Sequence, residues 1–510
     1  PFAGEVLRAP SETFKVERVA DTFWVDFDKT SLTKKEHVRR QIVLTTGSHH
    51  EQDYWYATED GRTLGRLPFV WRIPEQRWIP DHAVFITPPG DARPFGKWNV
   101  NCIKCHVTQG QPRPVLSTEL FDTKVAEFGI SCEACHGPGR AHIKRHANVI
   151  QRYQQHMSVD ADESIILPSR LSPQKQSQVC GQCHSIFGFN EPSDIKEWLK
   201  RGFAYRAGED LHEARFVHRG GPESDHPKTQ ETLEQIPRYL EDRFWSDGMV
   251  RISGREYNGL IESPCYQHGD ESRGVLSCLS CHQMHVAAED PRPLAEWTND
   301  QLGPEMDTNH ACVQCHKQFN DQGILTAHTH HLANSTGSRC YNCHMPHTTW
   351  GLLKSIRSHE IDYPLVQDTL KTGRPTACNL CHLDQTLAWT DETLSRWYGH
   401  PISSLSEDQQ TISASILSML TGDAGQRSIV AWHTRWAPAQ EISGKHWMAP
   451  YLSHLLSDPY PAVRFTAHES LKSLPGFAEF NFDFVGPIRE RELAKGEARE
   501  QWNRAFRPGP

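Results

Sequence analysis

The chain has no run of 18 apolar residues, which excludes an encoded membrane-spanning helix. It is short of apolar side chains altogether: they make up 37% of 510 residues, and the mean hydropathy is −0.62. A chain of this length would ordinarily need more to build its cores. A basic excess is missing as well. The formal net charge is −9, which argues against a nucleic-acid partner and favours basic or cationic ones. The opening Pro1-Phe-Ala-Gly has neither a basic n-region nor an apolar h-region, so the numbering is expected to start at a mature end.

What is present is cysteine and histidine, 15 and 30 residues. Fourteen cysteines fall into seven Cys-x-x-Cys-His motifs. They are Cys102/Cys105/His106, Cys132/Cys135/His136, Cys180/Cys183/His184, Cys278/Cys281/His282, Cys312/Cys315/His316, Cys340/Cys343/His344 and Cys378/Cys381/His382. This is the attachment pattern of c-type haem. Two thiols on one tight turn each bond a vinyl group, and the next residue is held beneath the iron as its proximal ligand. A single Cys-x-x-Cys reads equally well as a zinc knuckle or a redox pair; seven copies, each followed at once by His, do not. Seven covalent haems are expected, and their apolar discs would supply the core that the side chains cannot. Attachment takes place outside the cytoplasm, so a periplasmic or extracellular setting is expected. That setting reconciles many cysteines with no disulfide framework, since only Cys265 is left over.

Residues 1–100 carry no motif. Thr22–Phe27 and Arg40–Thr46 alternate apolar and polar residues, and Tyr54–Trp71 reads as a β-hairpin around Glu59-Asp-Gly61, giving a small β-rich cap. Residues 101–390 form the haem domain, with Gly137-Pro138-Gly139 expected to stop the helix after His136. The interval 191–277 is long enough to hold a substrate pocket and contains His212, His218, His226 and His268. Within it Cys265-Tyr-Gln-His268-Gly resembles a damaged motif and is not counted as an eighth haem. Residues 391–510 read as amphipathic helices around the turn Asp458–Pro461, a unit resembling a HEAT-type repeat. The fold class expected is mainly α with much irregular coil.

Thirty histidines minus seven proximal ones leaves 23 for seven distal positions. The candidates are His49 or His50, His142 or His146 (one helical turn apart), His285, His310, one of His328, His330 and His331, His347 and His359. His433, His446, His454 and His468 are expected in ordinary packing or surface roles.

Gly129-Ile-Ser-Cys-Glu-Ala-Cys-His-Gly-Pro-Gly, Cys340-Tyr-Asn-Cys-His-Met-Pro and Thr376-Ala-Cys-Asn-Leu-Cys-His resemble the multihaem cytochromes c built on the tetrahaem electron carrier of ammonia oxidation. That group is akin to hydroxylamine oxidoreductase and pentahaem nitrite reductase. The resemblance spans roughly residues 45–400 and is specific at the motifs. It implies closely stacked haems, mostly with two histidine ligands, in a largely helical domain. The chain departs from it in its long interval before Cys278 and its C-terminal helices. The lysine-ligated motif of the nitrite reductases is also absent.

A haem with two imidazole ligands passes electrons but offers no open position. The abundance of histidine therefore favours an electron carrier working between redox partner proteins. The alternative is an oxidoreductase for a small nitrogen or sulfur oxyanion, working at one open haem. Cys265 would then be its ligand or catalytic thiol; the plain reading of Cys265 is a small buried residue. A third reading makes the helical tail a docking scaffold for a partner complex.

Overall fold

A computed structural model describes residues 1–9, 12–30, 35–89, 96–158, 160, 162–270 and 274–506. The described chain forms two compact units. The first is Pro1–Asp81 with Ala92–His218 and Ser277–Leu279; the second is His82–Asp91 with Arg219–Leu276 and Ser280–Pro510.

The first unit opens with seven antiparallel strands in sequential order. They are β1 (Ala3–Arg8), β2 (Thr13–Val19), β3 (Thr22–Thr30), β4 (Lys35–Thr46), β5 (Glu51–Ala57), β6 (Leu64–Arg72) and β7 (Arg77–Pro80). The period-2 pattern buries one face: Phe14 and Val16 on β2, Val25 and Phe27 on β3, Val38 and Ile42 on β4, and Leu67, Phe69 and Trp71 on β6 share one cluster. The register places Val16 opposite Val25 and Phe27 opposite Val38. The sheet coils strongly. Phe2, beside β1, packs at 5.1 Å on Phe23 of β3, 5.0 Å on Tyr54 of β5 and 5.5 Å on Trp78 of β7. First and last strands thus meet around one ring, a near-barrel that leaves little flat edge open.

This sheet corrects the expected fold class. The chain is 42% helical and 16% strand, a mixed α/β protein rather than a mainly α one. The alternation that marked two strands and a hairpin continues through Ala3–Arg8 and Thr13–Val19, and β4 runs for 12 residues. Tertiary pairing carried strand structure through segments whose charged residues had hidden the pattern.

Beyond the sheet the first unit holds short helices: α1 (Cys132–His136), α2 (Arg140–Ala147) and α3 (Val149–Met157). Gly137 at φ +73° ends α1, its N–H donating to the Glu133 carbonyl at 3.1 Å. None of these three helices contains a buried residue.

The second unit is densest at its C-terminal end. Helices Ala414–Thr421, Ala424–His433, Met448–Leu455 and Pro461–Lys472 bury Met419, Ile429, Leu452, Leu471 and Phe477 completely. Helix Ile488–Phe506 lies against Met448–Leu455. Among the described residues no helix is long and apolar enough to cross a membrane.

Candidate haem sites

The Cys-x-x-Cys-His segments fold as about one helical turn. In the first motif the Cys105 and His106 amides both donate to the Cys102 carbonyl, at 3.1 and 2.9 Å. In the third, Cys183 and His184 donate to Cys180 O at 3.1 and 2.9 Å; in the fifth, Cys315 and His316 donate to Cys312 O at 3.2 and 2.9 Å. His382 N–H donates to Cys378 O at 2.8 Å, and Cys132–His136 and Cys340–His344 are single α-helical turns. Residues three and four apart on such a turn share a face, so both thiols and the imidazole project together. Among the described residues no two cysteines form a disulfide.

Three of the expected haem-binding residues depart from this common picture. Cys281 lies beyond the 3-10 turn Cys278–Ser280 rather than on it, and its carbonyl accepts from Gly303 N–H at 2.9 Å. The fourth motif is thus the one whose second thiol is placed by a contact outside the motif. His184 and His316 sit on regular turns, yet both residues are exposed, where a proximal ligand is expected to be covered. His316 has its ring 6.4 Å from that of Phe319, which follows it on the 3-10 turn Lys317–Asn320. The reason is physical: polypeptide alone does not cover these two rings, and a bound porphyrin would.

The motifs also adjoin one another. In the first unit the Cys105 thiol hydrogen-bonds with that of Cys183, and Cys180 with Cys278. In the second, Cys312 hydrogen-bonds with Cys340. Thiols of different motifs therefore stand side by side, as closely spaced prosthetic groups require.

The imidazoles of the second unit form three opposed pairs. His282 and His359 have ring centres 6.3 Å apart, His344 and His328 6.1 Å, and His382 and His331 6.2 Å. Each pair joins one proximal histidine to one distal candidate. Two imidazoles bound to opposite sides of one iron, each nitrogen about 2 Å from it, would place their ring centres about 6 Å apart.

Hydrogen bonds fix how these rings are turned. His136 Nδ1–H donates to Ile166 O at 2.7 Å, His282 to Asp300 O at 3.0 Å and His344 to Asp362 O at 2.7 Å. On the distal side His331 donates to Thr329 O at 2.6 Å and His359 to Arg357 O at 3.2 Å. A carbonyl only accepts, so Nδ1 holds the proton and Nε2 keeps its lone pair for a metal. Burial and the neighbouring His344 hold His328 below its ordinary pKa; burial and His331 do the same to His382. Neutral imidazole is the ligating form.

The residues also fit a haem by what they leave unsatisfied. A cleft of about 300 Å³ beside Cys343 is lined by Met249, Tyr363, Arg374 and Thr376. The buried Arg374 has one guanidinium nitrogen, Nε, without a protein partner. Its other contacts are Asp247 at 2.9 Å, Asp362 at 3.7 Å and Asp368 at 3.8 Å.

The remaining candidates lie elsewhere. His330 takes a left-handed conformation at the end of helix Gln322–Thr329 and stacks on Trp397 at 4.4 Å. His347 sits in a box of Trp432, His433 and Trp436, at 4.9, 5.8 and 5.7 Å. Burial pushes its pKa down to about 2, with the Arg357 charge adding to the effect. His49 is exposed, its Nδ1 2.8 Å from Ser48 Oγ, and His50 follows it in the β4–β5 turn. His285 and His310 are exposed. His142 and His146 both turn onto Asp162, through Nδ1 at 2.8 Å and Nε2 at 2.5 Å. Burial alone would raise the Asp162 pKa, but bonds from Ser164, His146 and His142 outweigh it and hold the carboxyl far below the usual range.

Cys265 stands in the short helix Pro264–Gln267, half-buried. Burial and the nearby Cys315 push its thiol pKa up, which disfavours the thiolate that nucleophilic or ligating chemistry needs.

Sequence reading missed the carbonyl anchors Ile166, Asp300 and Asp362, because a backbone acceptor leaves no residue-type signal. It also gave no weight to His218, which is buried and rests on Phe216 at 4.9 Å.

No solved structure matches the chain. Residues 91–137, which hold the first two motifs, match the family model described as cytochrome c554 and c-prime, and this match supports a c-type cytochrome with covalently bound haem c.

Proposed function

We propose that all seven motifs carry haem c and that the protein moves electrons along them. The observation that carries this reading is the set of three opposed imidazole pairs, 6.1–6.3 Å between ring centres, each built on a proximal histidine. In this reading His359, His328 and His331 are the distal ligands of the fourth, sixth and seventh haems. Haem on the third and fifth motifs covers His184 and His316, the two rings that polypeptide leaves exposed. Bound haem supplies one-electron redox chemistry. The chain's own part is to close both axial positions, to fix each ring through its Nδ1–H bond and to exclude solvent with the residues around Cys343.

Six-coordinate haems relay electrons rather than bind substrate, so the partners are redox proteins. Because covalent attachment occurs outside the cytoplasm, the working compartment is the periplasm or the cell exterior. The C-terminal helices, with their own dense core, serve in this reading as a HEAT-like platform for a partner. The raised thiol pKa of Cys265 argues for a packing role there rather than a catalytic one.

The test is an optical and electron paramagnetic resonance spectrum of the oxidised holoprotein. Low-spin signals from all haems, unchanged by cyanide or nitrite, agree with this reading. A high-spin component that shifts on adding either anion rejects it in favour of an oxidoreductase.

A further inference from the structure

The hairpin α2–α3 combines three features that the haem reading does not use. The first is charge. Between Glu133 and Asp160 there is no acidic residue, while Arg140, Lys144, Arg145 and Arg152 all fall inside that stretch. Arg145 is engaged, 3.4 Å from Asp162 and 2.9 Å from Gln155. Arg140, Lys144 and Arg152 are exposed and have no ion-pair partner among the described residues. In a chain with 63 acidic and 54 basic residues, three neighbouring unpaired cations are a local excess of the minority sign.

The second feature is apolar exposure. Val149, Ile150, Tyr153 and Met157 fall on one face of α3, at helical spacing, and Ile143 stands on α2. These five side chains are between 65% and 70% exposed. Polar Gln151, Gln154 and Gln155 occupy the opposite face of α3.

The third is that the hairpin is built to hold its shape with this face outward. Asn148 caps α3, its side chain accepting from the Ile150 and Gln151 amides at 2.9 and 3.3 Å. His142, His146 and Arg145 tie α2 to Asp162 from the other side.

An amphipathic helix with an open apolar face and flanking cations is the pattern of a segment that lies in the plane of an anionic bilayer. Each Lys or Arg near such a surface contributes about 1 kcal/mol, and the burial of the apolar face adds to it. We propose that α2–α3 docks the protein on an anionic phospholipid surface. Val149, Ile150, Tyr153 and Met157 enter the interface, and Arg140, Lys144 and Arg152 contact headgroup phosphates. The second haem motif directly precedes α2, so docking would bring that motif to the bilayer. The inference stands on the exposed hairpin and is independent of whether the haems relay electrons or catalyse.

The test uses the intact holoprotein and co-sedimentation with vesicles. One set contains phosphatidylcholine alone; the other contains one quarter phosphatidylglycerol. Binding to the anionic vesicles is expected to exceed binding to neutral ones by at least about tenfold and to weaken in high salt. The paired changes K144E/R152E and I150N/Y153N should each reduce it by about tenfold or more, with haem absorbance unchanged. Equal binding to both vesicle types, or to neither, overturns the proposal. So does loss of haem absorbance in I150N/Y153N, because the face would then be packed on porphyrin. If the wild-type chain self-associates through this hairpin in sedimentation velocity, and the variants abolish that association instead, the occupant is a second copy and the proposal falls.

Discussion

At the scale of single residues, the account rests on which imidazole faces which. His359 has its ring centre 6.3 Å from that of His282 and is held by an Nδ1–H bond to Arg357 O. Removing it as His359→Ala should leave one haem with an open axial position. A high-spin band from a single haem is expected in the optical spectrum, with the others unchanged; no high-spin band would remove the pairing. His433 gives a second prediction, on stability. It is fully buried, donates through Nδ1–H to Ile429 O at 2.7 Å, and has its pKa pushed down to about 4, chiefly by burial. A base whose folded pKa is depressed keeps its stability contribution above the unfolded value and loses it as pH falls towards the folded one. Between pH 6.5 and 5 the loss from this group is about 2 kcal/mol. Urea titrations of His433→Gln should show a flatter dependence on pH in that window than the wild type. An identical slope would mean His433 does not titrate there.

At the scale of elements, the sheet and the motif turns differ in how far sequence reveals them. A motif turn is local: its two thiols, imidazole and carbonyl bonds lie within five residues, so spacing alone discloses it. What covers the imidazole is not local, and spacing says nothing of the exposure of His184 and His316 or of the Gly303 contact that places Cys281. The opposed partner is not local either. His331 and His382, or His282 and His359, come together only through the fold, and a run such as His328–His331 offers several equivalent choices on paper. The structure separates them by backbone conformation, since the left-handed His330 turns away onto Trp397. The sheet was partly legible. Val16 faces Val25 across β2 and β3 with both side chains fully buried, yet β1 and β2 carry enough charge to blur the alternation. The coiling that joins Phe2 to Trp78 has no sequence signal at all. Leu67 on β6 is completely buried in this core. Leu67→Ala should cost about 3 kcal/mol, measured by denaturant unfolding of the sheet. A change under about 1 kcal/mol would show that the sheet is not packed as described.

At the scale of the whole molecule, the protein core is unevenly shared. The C-terminal helices bury Met419, Ile429, Leu452, Leu471 and Phe477 completely, whereas α1, α2 and α3 bury nothing. The motif-bearing regions therefore depend on something other than side chains for their cohesion, as the low apolar content of the chain requires. Protein produced without haem attachment should lose hydrogen-exchange protection around the motifs while residues 414–472 keep theirs. Uniform loss, or uniform retention, would show that haem is not the core of those regions. The most direct measurement of the central claim is the intact mass of the purified protein. The account predicts the 58.2 kDa polypeptide plus seven haems, retained under denaturing conditions. A mass equal to the bare polypeptide, or to a smaller whole number of haems, would contradict it.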